Sequence, residues 1–404
     1  MPWRIWRKKD GKSEESIKDQ KDFVNNYRLF KFIGMIHDGS LYSKIRQPIS
    51  SILLYTALVH HMVPLLTSHN EYTFDEFMDL VHLEMVYTMW CIVWPSYIIR
   101  SELFASMTSK IKNGLYTYSD ELTVEEKRIL SKANDAVLKI TKISVYVYVC
   151  GGIGIFLKGT NKEKMRKLEM PNIGWFPFAI NSVTRYFLGC LFQATLGLNA
   201  VSIAIGTFMS FAMLTTHYKA QFELLRAHLR STFPKNVSPA LAAEGNYKQA
   251  TLRRLRDCYM HHLAIVEFHE EFLQYYGLML LVFRISIVLL LCTLAFVSVI
   301  VRVTAHNLLK MLSFASTELL FVLLFSLRGQ GVTDWSQQWR EELYSVDWWD
   351  QPMEVRRNLK LMILGSVEPL IVYGVWKIAA YSHAGLFAIG NESFSFFNML
   401  RALH

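Results

Sequence analysis

The side chains best equipped for chemistry in this 404-residue sequence are a cluster of histidines and a glutamate, His261, His262, His269 and Glu270. Imidazole nitrogens and carboxylate oxygens are metal ligands, so the cluster invites a metal reading. Its spacing does not stack the donors on one face of a helix, and the expectation is neither a metal site nor a cofactor. Cys91, Cys150, Cys190, Cys258 and Cys292 stand far apart, with neither CxxC spacing nor the density of a disulfide framework. Arg284 and Glu318 are different: each falls near the middle of an apolar window, where a charge is costly and is normally paired or wet. One reading pairs the two across neighbouring helices as a structural or gating link. The other lets Arg284 reach a cytoplasm-facing water cavity while Glu318 is protonated. Glu84, His60 and His61 lie nearer window ends and are expected to be satisfied locally.

The elements that carry these residues are set by composition. Hydrophobic residues make up 52% of the chain and charged residues only 19%, which is too apolar for a soluble protein of this length. The apolar residues are clustered: Tyr276 to Val301, broken only by Arg284, exceeds the roughly 20 residues needed to cross a hydrocarbon core as a helix. Hydropathy gives windows at 47–66, 77–99, 140–157, 186–215, 274–301, 308–328 and 361–400, the last long enough to be two pieces. The part after Tyr381 carries Gly385, Gly390 and several hydroxyls, a composition suited to neighbouring helices or water rather than lipid. The fold expected is an all-α membrane protein of seven spans. The first 22 residues are basic but are followed by no apolar stretch of cleavable length, so a signal peptide is not expected and the first span anchors the chain.

Lys/Arg asymmetry orients the spans. Residues 1–46, 100–142, 216–273 and 328–360 hold 11, 8, 8 and 5 Lys/Arg, whereas the alternate connections hold none in 67–76 and six in 158–185. The amino terminus is therefore expected inside and the carboxyl terminus outside, with 158–167 an exception to the bias. That orientation is the reverse of a G-protein-coupled receptor. There is also no acidic-Arg-Tyr triplet after the third span and no Asn-Pro-x-x-Tyr in the seventh.

Three stretches carry a likeness to a known family. LRDCYMHHLAIVEFHEEF (255–272), with His262 at the family's histidine position, resembles the amphipathic helix that insect odorant receptors place before their fifth span. LYSVDWWDQPMEVRRNLKLMI (343–363) resembles the segment before their last helix, and SFSFFNML (393–400) is similar to their Ser-Tyr-Ser-Tyr-Phe pattern with Phe for Tyr. The resemblance implies a ligand-gated, nonselective cation channel in the plasma membrane. It implies a heterotetramer in which a tuning subunit binds a volatile organic molecule and assembles with an odorant co-receptor. Membrane lipid is an expected partner and nucleic acid is not. The short 216–273 connection favours the tuning subunit. On this likeness, 1–46 is a cytoplasmic segment, 47–215 a ligand-binding bundle of spans one to four and 216–273 a pair of cytoplasmic anchor helices. Residues 274–328 are spans five and six, and 329–404 an anchor segment with a pore-lining helix.

By the same resemblance the odorant pocket lies among the outer halves of spans two, three, four and six. The helical stripes there offer Val81 and Met85; Val145, Tyr148, Val149, Gly152 and Phe156; Phe192 and Thr195; and Phe314 and Thr317. For any one of them plain packing competes with ligand contact. On the terminal helix, Glu392, Phe396, Met399 and Leu403 return to nearly the same face. The resemblance puts Met399 and Leu403 at two apolar gate positions and Ala402 where the co-receptor has a filter glutamine. Glu392 is expected either to face water and attract cations or to pair with a neighbour such as Lys377. Between 247 and 275, Leu252, Leu255, Tyr259, Leu263, Val266 and Leu273 form a stripe expected to meet another subunit or to cover its own. Two rivals share features: a gustatory-type receptor channel of the same fold, and a transporter, which would be expected to show internal repeats.

Overall fold

The structure is a computed structural model and describes residues 28, 30–35, 40–67, 72–158, 162–233, 245–300 and 305–403. Among them there is no strand. The helices are α1 (Leu41–Thr67), α2 (Phe74–Ile99), α3 (Ser101–Asn113), α4 (Val124–Lys158), α5 (Lys162–Lys167), α6 (Val183–Thr232), α7 (Gly245–Ile300), α8 (Ala305–Ser345), α9 (Met353–Gly365) and α10 (His383–Leu403).

Local chemistry fixes where several of these helices start. Thr73 and Glu76 form a capping box at α2, in which the Thr73 amide donates to Glu76 Oε2 at 3.0 Å and the Glu76 amide donates back to Thr73 Oγ1 at 3.4 Å. Thr123 and Glu126 repeat the pattern before α4, with the Thr123 amide 2.6 Å from Glu126 Oε2. Ser182 caps α6 by accepting from the Arg185 amide at 3.3 Å.

The first six apolar windows each fall within one helix, save residue 301, which lies outside the described residues. Three helices, Leu41–Thr67, Val183–Thr232 and Asn246–Phe296, are long and apolar enough to cross a membrane by length and composition. The seventh window, 361–400, is not one helix. Helix α9 stops at Gly365 and α10 begins at His383; between them the chain makes a tight turn in which Trp376, Lys377 and Ala379 take φ near 60°. The turn lies against α7, where the Tyr381 hydroxyl donates to the Leu280 carbonyl at 2.7 Å.

Helices α6, α7 and α8 run straight out of their apolar windows. Their inner parts converge on a core of rings: Phe211 lies 5.2 Å from Phe272, 5.2 Å from Tyr276 and 4.7 Å from Phe325. The Tyr276 hydroxyl is satisfied by Ser210 Oγ at 2.7 Å. Burial on α7 follows Leu255, Cys258, His261, Ile265, Phe268 and Phe272. Of the expected stripe, Leu255 is buried and Leu252 and Leu273 pack on the core, whereas Tyr259 and Leu263 point outward beside Met260. Histidine and cysteine take core positions here because their polar atoms find partners or weak needs.

Candidate functional site

Helices α2, α4 and α8, which carry most of the candidate pocket residues, all pack on α6. That makes α6 the common wall of any space among them. On α2, Val81 and Met85 are half-buried, one turn apart. On α6, Phe192 is half-buried and belongs to an aromatic group, 5.5 Å from the His60 ring and 5.9 Å from Phe176. Val145 and Thr195 are turned outward, and the Thr195 hydroxyl is spent on the Leu191 carbonyl of its own helix at 2.8 Å. The side chains of Tyr148, Val149, Gly152, Phe156, Phe314, Thr317 and Leu403 lie outside the described residues, as does that of Glu318.

What sequence reasoning missed is the covering of this end of the bundle. The connection between α5 and α6 folds back over α1 and α6 and is held by His60, His61 and Gln193. His60 Nδ1 donates to the Trp175 carbonyl at 2.5 Å, and the Trp175 amide returns a bond to the His60 carbonyl at 2.7 Å. His61 Nδ1 donates to the Ile173 carbonyl at 3.1 Å while its ring stacks on Tyr87 at 5.2 Å. Gln193 Nε2 donates to the Asn172 carbonyl at 2.7 Å and to His60 Nε2 at 3.1 Å, which fixes the His60 tautomer with its proton on Nδ1. Gly174 sits so close that a Cβ there would collide with the His60 ring. The only sequence signal was the pair of adjacent histidines in an apolar span.

The two histidines are thus satisfied locally, but Glu84 is not. Its Oε2 is buried and has no hydrogen-bond partner. It lies one turn from Val81 on α2, so an acceptor without a donor stands in the wall from which pocket residues were drawn.

The charged residue Arg284 also departs from expectation. It donates through Nη2 to Glu392 Oε1 at 2.5 Å and through Nη1 to the Gly385 carbonyl at 3.1 Å, both on α10. Arg284 therefore has Glu392 as a partner, while Glu318, the partner expected from the sequence, has its side chain outside the described residues; Glu392 pairs with Arg284, not Lys377. Helix α10 buries one stripe, Gly385, Ile389, Ser393 and Phe397, against the rest of the chain. Phe396, Met399 and Ala402 lie off that stripe and are exposed, Met399 at 51%.

On the far side of the bundle, polar groups form a clasp around the 114–123 connection. Asp257 accepts from the Tyr116 hydroxyl at 2.9 Å, the Ser119 amide at 3.1 Å and Ser119 Oγ at 3.1 Å. The Tyr118 hydroxyl donates to His261 Nδ1 at 2.6 Å, and His261 Nε2 donates to Gln221 Oε1 at 2.9 Å. Burial, helped by the neighbouring His228 and His262, lowers the His261 pKa to about 3, so it stays neutral. Arg254 Nε donates to Asp120 at 2.9 Å, joined by Arg253, and this holds the Asp120 carboxyl below its usual range. His262 faces the Trp339 ring at 5.8 Å and His269 Nε2 donates to the Ile371 carbonyl at 3.1 Å, while Glu270 is exposed. The histidines thus have separate duties, and among the described residues they gather into no metal site.

A family model described as 7tm Odorant receptor matches residues 80–381. The putative odorant receptor 85d of Drosophila melanogaster is 22% identical over 245 residues, which cover 59% of this chain and 56% of that relative. The chain therefore spans little more than half the length of that curated relative. Among solved structures, the olfactory receptor OR5 of Machilis hrabei superposes with a TM-score of 0.74 at 12% identity, covering 97% of this chain and all of that one. The same receptor in complex with eugenol gives 0.73 at 13% identity. At such identities the superpositions speak for the fold, while the family model covers three-quarters of the chain and takes in the α2, α6, α7 and α8 framework described above. The chain belongs to the odorant receptor family, one of membrane receptors and not of enzymes.

Proposed function

We propose that this chain is the odorant-binding subunit of a ligand-gated, nonselective cation channel that works with a co-receptor of the same fold. It sits in the plasma membrane with seven spans, the amino terminus cytoplasmic and the carboxyl terminus extracellular. The spans lie in α1, α2, α4, α6, α7, α8 and α10, the inner parts of α6 to α9 form the anchor, and α10 lines the pore.

The observation that carries the reading is the contrast in α10. A helix of 21 residues packs by a single stripe and leaves Phe387, Phe394, Phe396 and Met399 uncovered. A helix so little covered by its own chain is suited to a place between subunits, with one side toward an ion path. Met399 and Leu403 then form the apolar gate, and the small Ala402 leaves selectivity largely to other side chains. The ligand is a volatile organic molecule held among α2, α4, α6 and α8, under the connection that His60 and Gln193 fasten; the eugenol complex of the Machilis hrabei receptor supports a small aromatic odorant as the ligand class. The unpartnered Glu84 carboxyl suits an odorant with a hydroxyl or amine donor. Binding opens the channel by favouring the open form over the closed.

Recording odour-evoked current with and without the co-receptor tests this. Little current from the chain alone and a robust one from the pair is expected. Full current from the chain alone would sink the heteromer, and no current from either would sink the channel.

A further inference from the structure

The carboxylate of Glu392 occupies an unusual place. It is the only acidic residue of α10, and its side chain is 46% exposed, on the helix face that also carries Ser395, Phe396 and Met399. One of its oxygens is held by a guanidinium that is itself mostly covered, with Arg284 only 12% exposed. The same guanidinium grips the Gly385 carbonyl, seven residues earlier and therefore on the same side of the helix. Arg284 thus touches α10 at two points two turns apart, one a neutral carbonyl and the other a charge. If the pair served only to fasten the helix, a carbonyl contact and a buried carboxylate would do; instead the carboxylate keeps one side uncovered by its own chain. Its charge is felt by any ion that passes along that face, and Arg284 cancels most of it.

We propose that Glu392 is a charge-selecting residue of the ion path and that Arg284 sets its strength. This rests on the channel reading above. Paired, the two contribute no net charge to the wall. With Arg284 neutralised or drawn away, each such subunit contributes one negative charge, which concentrates cations and disfavours anions. With Glu392 neutralised instead, a mostly covered guanidinium faces the path without its counter-ion and repels cations. The two single changes therefore act in opposite directions, which a purely structural fastening does not allow, since loosening the same joint from either side has one sign.

The test is single-channel and reversal-potential recording of the chain with its co-receptor, with surface expression measured in parallel. Arg284→Gln is expected to raise cation conductance by about twofold or more at low ionic strength, with the gain shrinking as salt screens it. Glu392→Gln is expected to lower conductance by a similar factor and to shift the reversal potential toward the anion side. Glu392→Cys guards against misfolding of the first variant: a negatively charged thiol reagent should increase its current and a positively charged one reduce it. Changes of the same sign in both single variants, or no effect of reagent charge on Glu392→Cys at normal surface expression, would overturn the proposal. An unmodified channel that gives no odour-evoked current with its co-receptor removes the reading beneath it, which is a separate outcome.

Discussion

The inner part of α6 and the whole of α10 are both apolar helices, yet they are treated in opposite ways. From Met209 to Leu225 nearly every residue of α6 is buried, whichever side of the helix it occupies, because α4, α7 and α8 close around it. Helix α10 is buried along one stripe only. A helix apolar all round belongs inside something; α6 finds that inside within its own chain, and on the proposed reading α10 finds it in an assembly. Stability and conduction should accordingly separate between them.

The largest effect expected is at the α6 core. Phe211→Ala removes a ring packed against Phe272, Tyr276 and Phe325 and should cost about 3–5 kcal/mol, read as loss of folded protein at the cell surface. Phe394→Ala on α10, 64% exposed in the single chain, should leave surface expression of the uncomplexed subunit unchanged while altering current in the assembly. Equal losses of folded protein from the two would erase the contrast. A smaller effect is expected where the connection before α6 covers the bundle. Gly174→Ala forces the connection away from His60 at a cost of about 1–3 kcal/mol, which should shift odour sensitivity by roughly tenfold without changing the maximal current. A normal dose–response curve would mean that this covering has no part in odour access.

Per residue and per pH unit the smallest effect is a pH dependence, and its sign follows from burial. His261 is neutral when folded, with its pKa lowered to about 3, and His269 is held at about 4 by the same desolvation. Below the ordinary histidine value of about 6.5 the unfolded chain binds protons that the folded chain refuses, so stability falls with pH by up to about 1.4 kcal/mol per unit for each histidine. Thermal unfolding in detergent should show a midpoint that drops between pH 7 and pH 5. His261→Gln should flatten the slope, and an unchanged slope would mean that the clasp around Tyr118 is open in solution.

The sequence made the span windows legible because the length of an apolar run alone decides whether a helix can cross a bilayer. It suggested that the last window could be two pieces but not where the first of them ends: the residues from Ile371 to Trp376 are as apolar as any span, yet α9 stops at Gly365 and α10 does not begin until His383. That Arg284 needs a partner was readable from its apolar surroundings. Which partner was not, because the choice depends on how α10 docks on α7. The same limit applies to the candidate pocket: Phe192 joins an aromatic group, while Thr195, one turn away, faces out, since hydropathy does not fix the rotation of a helix. The connection over the bundle escaped notice because its bonds run mostly through backbone carbonyls, which every residue possesses.

The clasp has a consequence for how the chain is made. Tyr116 meets Asp257 across 141 residues, Glu126 meets His228 across 102 and Arg230 meets Glu342 across 112. A ribosome adding roughly 5–20 residues per second needs on the order of ten seconds between making the first of these side chains and making its partner. During that interval the connection after α3 has its tyrosines and Asp120 waiting without their α7 partners, so the nascent receptor depends on whatever holds it until α7 has been synthesised.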